Sequence, residues 1–241
     1  MHASRIEELL DPFLGPPDAR RLNPDTLHLI STYIDILQRW NARINLTAIR
    51  NPEEIVTRHF GESLFAARHL FPADEREEHS LSRAGSPLET FRASVPVVAD
   101  IGSGAGFPGI PIKLWTPEIS LTLIESNHKK ATFLRELTRA LTIKDVKIQN
   151  TRAESLAPCS FDVVTFRAVE RFQSILSVAA GLVDPRGRLA LLIGRAQLLQ
   201  AQTTLPSLNW SVLPIPASQS RVLAIAFRNQ PLNRDMEEPE K

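Results

Sequence analysis

The sequence predicts an α/β protein with a mainly parallel, seven-stranded sheet, helices on both faces and a helical extension in front. Two observations lead to this class. From residue 95 onward, short apolar runs alternate with stretches of helical period, an order that is typical of parallel strands joined by crossover helices. Before residue 73, apolar residues recur at steps of three and four, which indicates helices.

The composition excludes several classes of protein. Of 241 residues, 43% are apolar and 23% are charged, as in ordinary globular proteins. No apolar run is long enough to cross a membrane, and the N-terminus lacks the core of a signal peptide, so we expect a cytoplasmic protein without membrane contact. The single cysteine, Cys159, excludes an internal disulfide, and the six histidines lack metal-binding spacing, so we expect no metal.

Changes in composition divide the chain into four parts. Residues 1–72 are predicted to form the helical extension, and residues 95–229 the core that carries the sheet. Between them, residues 73–94 contain an acidic run, the turn-forming Gly85-Ser86-Pro87 and scattered serine and arginine, which predicts a flexible linker. The tail at 230–241 is predicted to be disordered.

The extension contains two clear helices with a loop between them. Residues 23–40 begin with Asn-Pro, a typical helix start, and continue with an apolar face that we expect to pack in the core. Residues 40–50 predict a loop that carries Arg43 and Arg50. A second Asn-Pro begins the helix over 51–70, whose first turn is acidic, as the helix dipole favours.

Seven short segments in the core have the composition of strands, and helical stretches follow the first, second and fourth of them. The last two are predicted to form an antiparallel pair. The predicted strands are 97–101, 120–125, 146–150, 161–166, 188–193, 210–215 and 221–228.

The first predicted strand runs directly into a glycine-rich stretch, with Gly102, Gly104 and Gly106 at alternate positions. Glycine adopts positive φ and lets a ligand approach the backbone. A dinucleotide site requires G-x-G-x-x-G, but Phe107 stands where the third glycine should be. The pattern D-x-G-x-G-x-G, which starts at Asp100, is closer to the loop of S-adenosylmethionine-dependent methyltransferases. A plain structural turn and a nicotinamide-dependent oxidoreductase remain the alternatives.

Three further strand ends carry candidate site residues. Glu125 ends the second strand, where a carboxylate accepts hydrogen bonds from ribose hydroxyls; a surface acid is the alternative. Ala153 and Glu154 follow the third strand and could frame an adenine, although a solvated loop explains them equally well. Arg167 ends the fourth strand and could bind an RNA phosphate or the cofactor carboxylate, or orient the base. No Asn/Asp-Pro-Pro-aromatic motif stands there, which argues against methylation of an exocyclic amine.

Basic residues in and around these loops could bind RNA phosphates. Acidic residues are concentrated at 74–78 and in the tail, so the rest of the chain is moderately basic, which is compatible with RNA binding. Solvated helix faces are the alternative for any single residue. The candidates are Arg43, Arg50, Arg58, His59, Lys129 and Lys130.

Four stretches together resemble the RsmG/GidB family of bacterial 16S rRNA (guanine-N7) methyltransferases. They are 40–50, 58–64, 100–111 and 166–168, and the resemblance covers roughly residues 22–228. It implies a Rossmann-like, class I methyltransferase that acts on the 16S rRNA of the small ribosomal subunit, with S-adenosylmethionine as cofactor. The sequence leaves the oligomeric state open, and we expect a monomer. The resemblance also implies cofactor-site roles for Gly102, Phe107, Ala153, Glu154 and Arg167.

The sequence departs from the family pattern at two places. Gly61-Glu62 replaces the usual Leu-Asp after Arg-His, which keeps the charge. Ile193 stands where the family commonly has a lysine, so any RNA contact of that lysine is lost or passes to Arg195.

The implied reaction agrees with the missing amine motif. Guanine N7 has an exposed lone pair and no proton, so the enzyme needs no general base and has mainly to position its reactants. We expect Arg167 to take part in that positioning. Methylation of another RNA, the oxidoreductase and a non-catalytic RNA-binding module are the competing hypotheses.

Overall fold

The computed structural model describes residues 1–16, 19–72, 95–167 and 172–228. The predicted linker at 73–94 and tail at 230–241 lie outside the described residues, as does Ala168 of the family motif. The remaining predictions fall on the parts that are described.

Within residues 1–16 and 19–72, three helices precede the sheet: α1 at Ala3–Leu14, α2 at Pro24–Asn41, and α3. Helix α3 consists of α-helical segments at Pro52–Glu54 and Glu62–Leu70 on either side of a π-helical segment at Ile55–Gly61. The Asn-Pro starts act as predicted, because each asparagine side chain accepts hydrogen bonds from backbone N–H groups of the first turn.

The N-terminal helices share one hydrophobic core with a face of the sheet. Ile6 of α1 and Leu64 of α3 belong to the same buried cluster as Leu123 of the sheet. Gly61 lets α1 approach α3, because a Cβ at this position would come 2.7 Å from the ring of Phe13. The helices therefore pack as part of the same core as the sheet.

The sheet has seven strands in the order β3-β2-β1-β4-β5-β7-β6. Strand β7 runs in the direction opposite to the other six. This confirms the predicted α/β class. The strands are β1 Val97–Ile101, β2 Ser120–Ile124, β3 Val146–Gln149, β4 Phe161–Arg167, β5 Val183–Gly194, β6 Asn209–Pro214 and β7 Arg221–Phe227. Helices α4 Gly109–Trp115, α5 His128–Ala140, α6 Phe172–Leu182 and α7 Arg195–Thr204 lie between them.

Strand β5 starts earlier than predicted. Val183 pairs with Phe161, and pairing resumes only at Arg188 with Val163. Pro185-Arg186-Gly187, which the sequence predicts to turn into this strand, instead lies in an irregularity inside it, where Asp184 Oδ1 accepts a hydrogen bond from the Arg186 N–H at 2.9 Å. A local turn signal therefore marks a bulge here, and not the strand boundary.

Two negative results concern the described residues only. Among them, no helix is both long and apolar enough to cross a membrane. The same residues contain no group of three or more side chains that could hold a metal ion.

Candidate functional site

The carboxyl ends of the adjacent strands β2, β1 and β4 bring three predicted site regions to one edge of the sheet. The glycine loop follows β1, Glu125 follows β2, and Arg167 ends β4. Ligands of open α/β sheets bind at this edge. The structure thus collects the predicted residues where a ligand site is expected.

The glycine loop adopts a conformation that suits its sequence. Gly102, Gly104 and Gly106 have φ values of 65°, 55° and 92°, in the region that favours glycine. A Cβ on Gly104 would meet only the Gly102 carbonyl oxygen, at 3.6 Å, so the space beside it is open. A Cβ on Gly106 would collide with the Tyr33 hydroxyl. Gly104 therefore borders the open edge, whereas Gly106 borders the protein interior.

Asp100 lies beneath this loop and is fully buried. Its Oδ2 accepts a hydrogen bond from the Gly109 N–H at 3.1 Å, and its Oδ1 accepts one from the Thr165 hydroxyl at 3.3 Å. Burial raises the pKa of Asp100 to about 7. The carboxyl group thus connects β1, β4 and the start of α4, and it supports the predicted cofactor loop from below.

Glu125 connects the glycine loop to the start of α5 through its two carboxylate oxygens. Oε2 accepts from the Gly104 N–H at 2.9 Å, and Oε1 accepts from the Asn127 N–H at 2.7 Å. A carboxylate offers about four acceptor positions, so two remain for the hydroxyls of a ribose. Glu125 therefore fits the predicted role as well as shaping the loop.

The turn after β3 lies next to the turn after β2. Asn150 Nδ2 donates to the backbone oxygens of Glu125 and Ser126, at 2.8 and 3.1 Å. Ala153 and Glu154 then form a short 3₁₀ turn in which the alanine is buried and the glutamate is exposed. This is the arrangement that an adenine subsite with a polar rim would need.

Phe107 is held by the N-terminal helices. Its ring stacks between Tyr33 of α2 and His59 of α3, with centroid distances of 5.2 and 4.6 Å. The Tyr33 hydroxyl also donates a hydrogen bond to the Ala105 carbonyl oxygen. The side chain that replaces the third glycine of a dinucleotide loop thus attaches the loop to the helical extension.

Arg167 is buried and bound on two sides by α3. Its Nη1 lies 2.6 Å from His59 Nδ1, and its Nη2 lies 3.3 Å from Glu62 Oε2. The same Glu62 oxygen binds Arg221 Nε at 2.9 Å. Burial lowers the pKa of Arg167 to about 10, so the side chain stays charged near neutral pH.

His59 lies in the interior and not on the surface where an RNA contact was predicted. Its side chain is 8% exposed, and its Nε2 lies 2.8 Å from the Thr47 hydroxyl. Burial, and then the nearby charge of Arg167, lower the pKa of His59 to about 3. The imidazole of His59 is therefore neutral, and both of its nitrogens form hydrogen bonds within the protein.

The other predicted RNA-binding residues lie at or near the surface. Arg43 and Arg50 are on the loop after α2, Lys129 and Lys130 begin α5, and Arg195 begins α7. Arg58, Arg43, Arg50, Lys129 and Arg195 are exposed, and Lys130 is half-buried. Because α5 follows β2 and α7 follows β5, Lys129, Lys130 and Arg195 lie at the edge that holds the glycine loop.

Three residues of the site had not been singled out from the sequence: Tyr33, Glu62 and Arg221. Tyr33 is the only tyrosine of the chain and stands in an apolar helix face whose pattern predicts core packing alone. Glu62 is an acid inside a helix that is buried on nearly every side. Arg221 begins a late strand and gave no signal.

Comparison with known proteins finds a family model and relatives that match most of this chain. The family model GidB, described as rRNA small subunit methyltransferase G, matches residues 26–213. A relative from Halorhodospira halophila (strain DSM 244 / SL1), named Ribosomal RNA small subunit methyltransferase G, is 34% identical over 86% of this chain and 90% of its own.

Other comparisons give partial matches. A protein of the same name from Xanthomonas axonopodis pv. citri (strain 306) is 37% identical over 67% of this chain, which corresponds to 66% of that relative's length. Among solved structures, the ribosomal protein L11 methylase from Lactobacillus delbrueckii subsp. bulgaricus matches with a TM-score of 0.49 and 19% identity, over 57% of this chain and 72% of that one.

The family model covers well over half of the chain, and its bounds include the glycine loop, Glu125 and Arg167. The resemblance that the sequence motifs suggested is thereby confirmed. This chain belongs to the GidB family of rRNA small subunit methyltransferases.

Proposed function

We propose that this chain transfers a methyl group from S-adenosylmethionine to N7 of a guanine in the 16S rRNA of the small ribosomal subunit. The observation that carries the proposal is the meeting of the glycine loop, Glu125 and Arg167 at adjacent strand ends, in a chain that belongs to a family of rRNA methyltransferases.

The residues at this edge fit the cofactor. Glu125 retains acceptor positions for the ribose hydroxyls, Gly104 leaves open space beside the backbone, and Ala153 with Glu154 suits the adenine. When bound, S-adenosylmethionine supplies an electrophilic methyl group. The protein's part is to hold the donor and acceptor in line and to exclude water. Asp100, Gly102, Gly106 and Phe107 contribute by shaping the loop.

The chemistry of the described site favours an acceptor that carries no proton. Asp100 and His59, two groups that could act as a base, are both buried, and their polar atoms are hydrogen-bonded inside the protein. Guanine N7 reacts through a free lone pair and needs no proton removal. Among the sites on guanine, N7 therefore fits this arrangement better than the exocyclic amine.

The proposal assigns RNA binding to the exposed cations around the edge of the sheet. Arg43, Arg50, Arg58 and Arg195, with Lys129 and Lys130 beside the loop after β2, would contact phosphates. We further propose that the chain acts as a cytoplasmic monomer. The helices of 1–72 and the sheet of 95–229 would work as one unit, because one hydrophobic core runs through both.

The test is methylation of 16S rRNA from a strain that lacks the gene for this protein. Purified protein is incubated with labelled S-adenosylmethionine and with free 16S rRNA or small subunits. Nucleoside mass spectrometry should then find N7-methylguanosine, and strand cleavage at the labile N7-methylated base should locate it. Methylation at N1 or at the exocyclic amine would contradict the proposed acceptor.

Calorimetry separates the proposal from the oxidoreductase and from a non-catalytic RNA-binding module. S-adenosylhomocysteine should bind, and NAD should not. The matched variant is Glu125→Gln, which keeps the hydrogen-bonding oxygen but loses the charge that favours two hydroxyl donors. Its affinity for S-adenosylhomocysteine should fall by about tenfold, as expected for a charge-assisted hydrogen bond.

A further inference from the structure

The guanidinium of Arg167 is oriented by two residues of the N-terminal helices. His59 and Glu62 stand three positions apart on α3, at the end of its π-helical segment, and both side chains reach Arg167. One nitrogen of the guanidinium faces each of them, at 2.6 Å from His59 Nδ1 and at 3.3 Å from Glu62 Oε2. Arg167 itself belongs to β4, 108 positions along the chain from His59.

The chemistry of these groups fixes the position of one proton. A guanidinium only donates hydrogen bonds, so His59 Nδ1 must accept. Nε2 then carries the proton and donates a hydrogen bond to the Thr47 hydroxyl at 2.8 Å. Thr47 lies on the loop that carries Arg43 and Arg50, so this hydrogen-bonded chain extends from that loop to the end of β4.

The second contact distributes charge inside the protein. The Glu62 side chain is 3% exposed, and it binds Arg167 and Arg221 together. The Arg221 side chain is 18% exposed, and it is held in addition by the Leu192 carbonyl oxygen at 3.2 Å. One carboxylate thus fixes two cations from β4 and β7, at the edge where the glycine loop ends.

We propose that His59 and Glu62 are positioning residues, which orient the Arg167 guanidinium toward the reacting groups at the end of β4. This inference rests on the proposed function. It means that the N-terminal helices complete the active site, and that the Arg-His stretch of the sequence acts through Arg167 without contact to RNA by His59.

Two substitutions of His59 separate the contact with Arg167 from packing. In His59→Asn, the amide oxygen takes the place of Nδ1 and still accepts from Arg167. In His59→Gln, the amide end takes the place of Nε2, and Arg167 loses its acceptor. Both variants lose the ring that stacks on Phe107, so their melting temperatures should fall alike.

The readout is methyl transfer to 16S rRNA, with kcat and KM measured separately. His59→Asn should retain most of the wild-type kcat, whereas His59→Gln should lose about 100-fold, the scale expected when a positioned group is displaced. KM for the rRNA should change little in either variant, because His59 does not face the substrate. Equal losses of kcat in both variants would overturn the proposal.

A variant pair tests Glu62 in the same way. Glu62→Gln removes the charge shared by two arginines and should lower both the melting temperature and kcat. Adding Arg221→Gln removes the excess cation and should restore the melting temperature without restoring kcat. If kcat returned together with the melting temperature, Glu62 would be structural only and its positioning role would be wrong.

A measurement without substrate tests the contact between His59 and Arg167 independently of the proposed function. Nitrogen-15 chemical shifts of the wild-type protein should show His59 with an unprotonated Nδ1 and a protonated Nε2 at neutral pH. A proton on Nδ1 would overturn the contact with Arg167, whatever the enzyme methylates. A wild-type protein with the expected tautomer but no activity on 16S rRNA would instead contradict the proposed function.

Discussion

Gly104 and Gly106 stand two positions apart with similar backbone conformations and different surroundings. A left-handed conformation costs a residue with a side chain roughly 1–2 kcal/mol, and both positions would incur that cost. Only Gly106 would also be overpacked, because its Cβ meets Tyr33 and Ile110. We therefore expect Gly106→Ala to lower the free energy of unfolding by about 2–5 kcal/mol and Gly104→Ala by about 1–2 kcal/mol, measured by urea denaturation.

Affinity for the cofactor should respond to these two substitutions in a different way. Gly104→Ala fills the open side of the loop and should weaken binding of S-adenosylhomocysteine beyond its small effect on stability. Adding Tyr33→Phe to Gly106→Ala removes the hydroxyl that the new methyl group meets, and should recover part of the lost stability. No recovery in this double variant would mean that the contact with the Tyr33 hydroxyl does not account for the loss.

Asp100 and His59 give stability opposite dependences on pH. The pKa of Asp100 rises from 3.8 to about 7 on folding, so its contribution is full below pH 3.8 and is lost as the pH rises toward 7. The pKa of His59 falls from 6.5 to about 3, so its contribution is full above pH 6.5 and is lost as the pH falls toward 3.

The matched variants separate the two effects. Between pH 4 and 7, Asp100→Asn should gain stability relative to wild type as the pH rises, because it removes the group whose contribution declines. Over the same range, His59→Asn should lose stability relative to wild type. Denaturant titrations at several pH values measure both differences. If the free energy of unfolding of each variant followed that of the wild type in parallel over this pH range, the pKa shifts of Asp100 and His59 would be contradicted.

Among the elements, α3 connects most of the features of the site. Its π-helical segment ends at Gly61 between the two residues that hold Arg167, and the same glycine contacts α1. Gly61→Ala would place a methyl group 2.7 Å from the Phe13 ring. We expect a loss of about 1–3 kcal/mol in the free energy of unfolding. We also expect a lower kcat, because a shift of α3 away from Phe13 would move His59 and Glu62.

The matching control makes the Phe13 side chain, which the new methyl group meets, smaller. Phe13→Leu combined with Gly61→Ala provides room for the methyl group, so kcat should recover more fully than stability. A double variant as inactive as Gly61→Ala would show that α1 is not what limits the position of α3.

Elements could be predicted from the sequence where the signal is local. The strands, the helix starts and the glycine loop each depend on residues within a few positions of one another. The π-helical segment and the bulge at 184–187 could not be predicted, because they satisfy packing against other strands and helices. The environment of Arg167 could not be predicted for the same reason. Its partner His59 on α3 is 108 positions away, and a short sequence pattern does not show which distant residues come into contact.

At the scale of the whole molecule, the exposed cations predict a salt dependence. Affinity for 16S rRNA should fall with salt, and each phosphate contact that is removed should reduce the log–log slope by about 0.7–0.9. The double variant Arg43→Gln, Arg50→Gln should therefore lower the slope by about 1.4–1.8, as measured by filter binding over a range of salt concentrations.

Arg186→Gln is the matched control for that experiment. Arg186 is exposed but lies in the bulge near the start of β5, at the opposite edge of the sheet. Its substitution should leave the slope unchanged. An equal effect from Arg186 would mean that the charge of the whole protein, and not the edge with the glycine loop, binds the RNA.

The ion pair between Glu62 and Arg221 joins residues 159 positions apart, and this separation matters while the chain is being synthesised. Translation at about 5–20 residues per second puts roughly 8–30 s between the appearance of the two side chains. During that interval His59 can already stack on Phe107, and Arg167 can reach His59 and Glu62, but the Glu62 carboxylate still lacks Arg221. The network around Arg167 is therefore complete only after β7 has been made, when synthesis is almost finished.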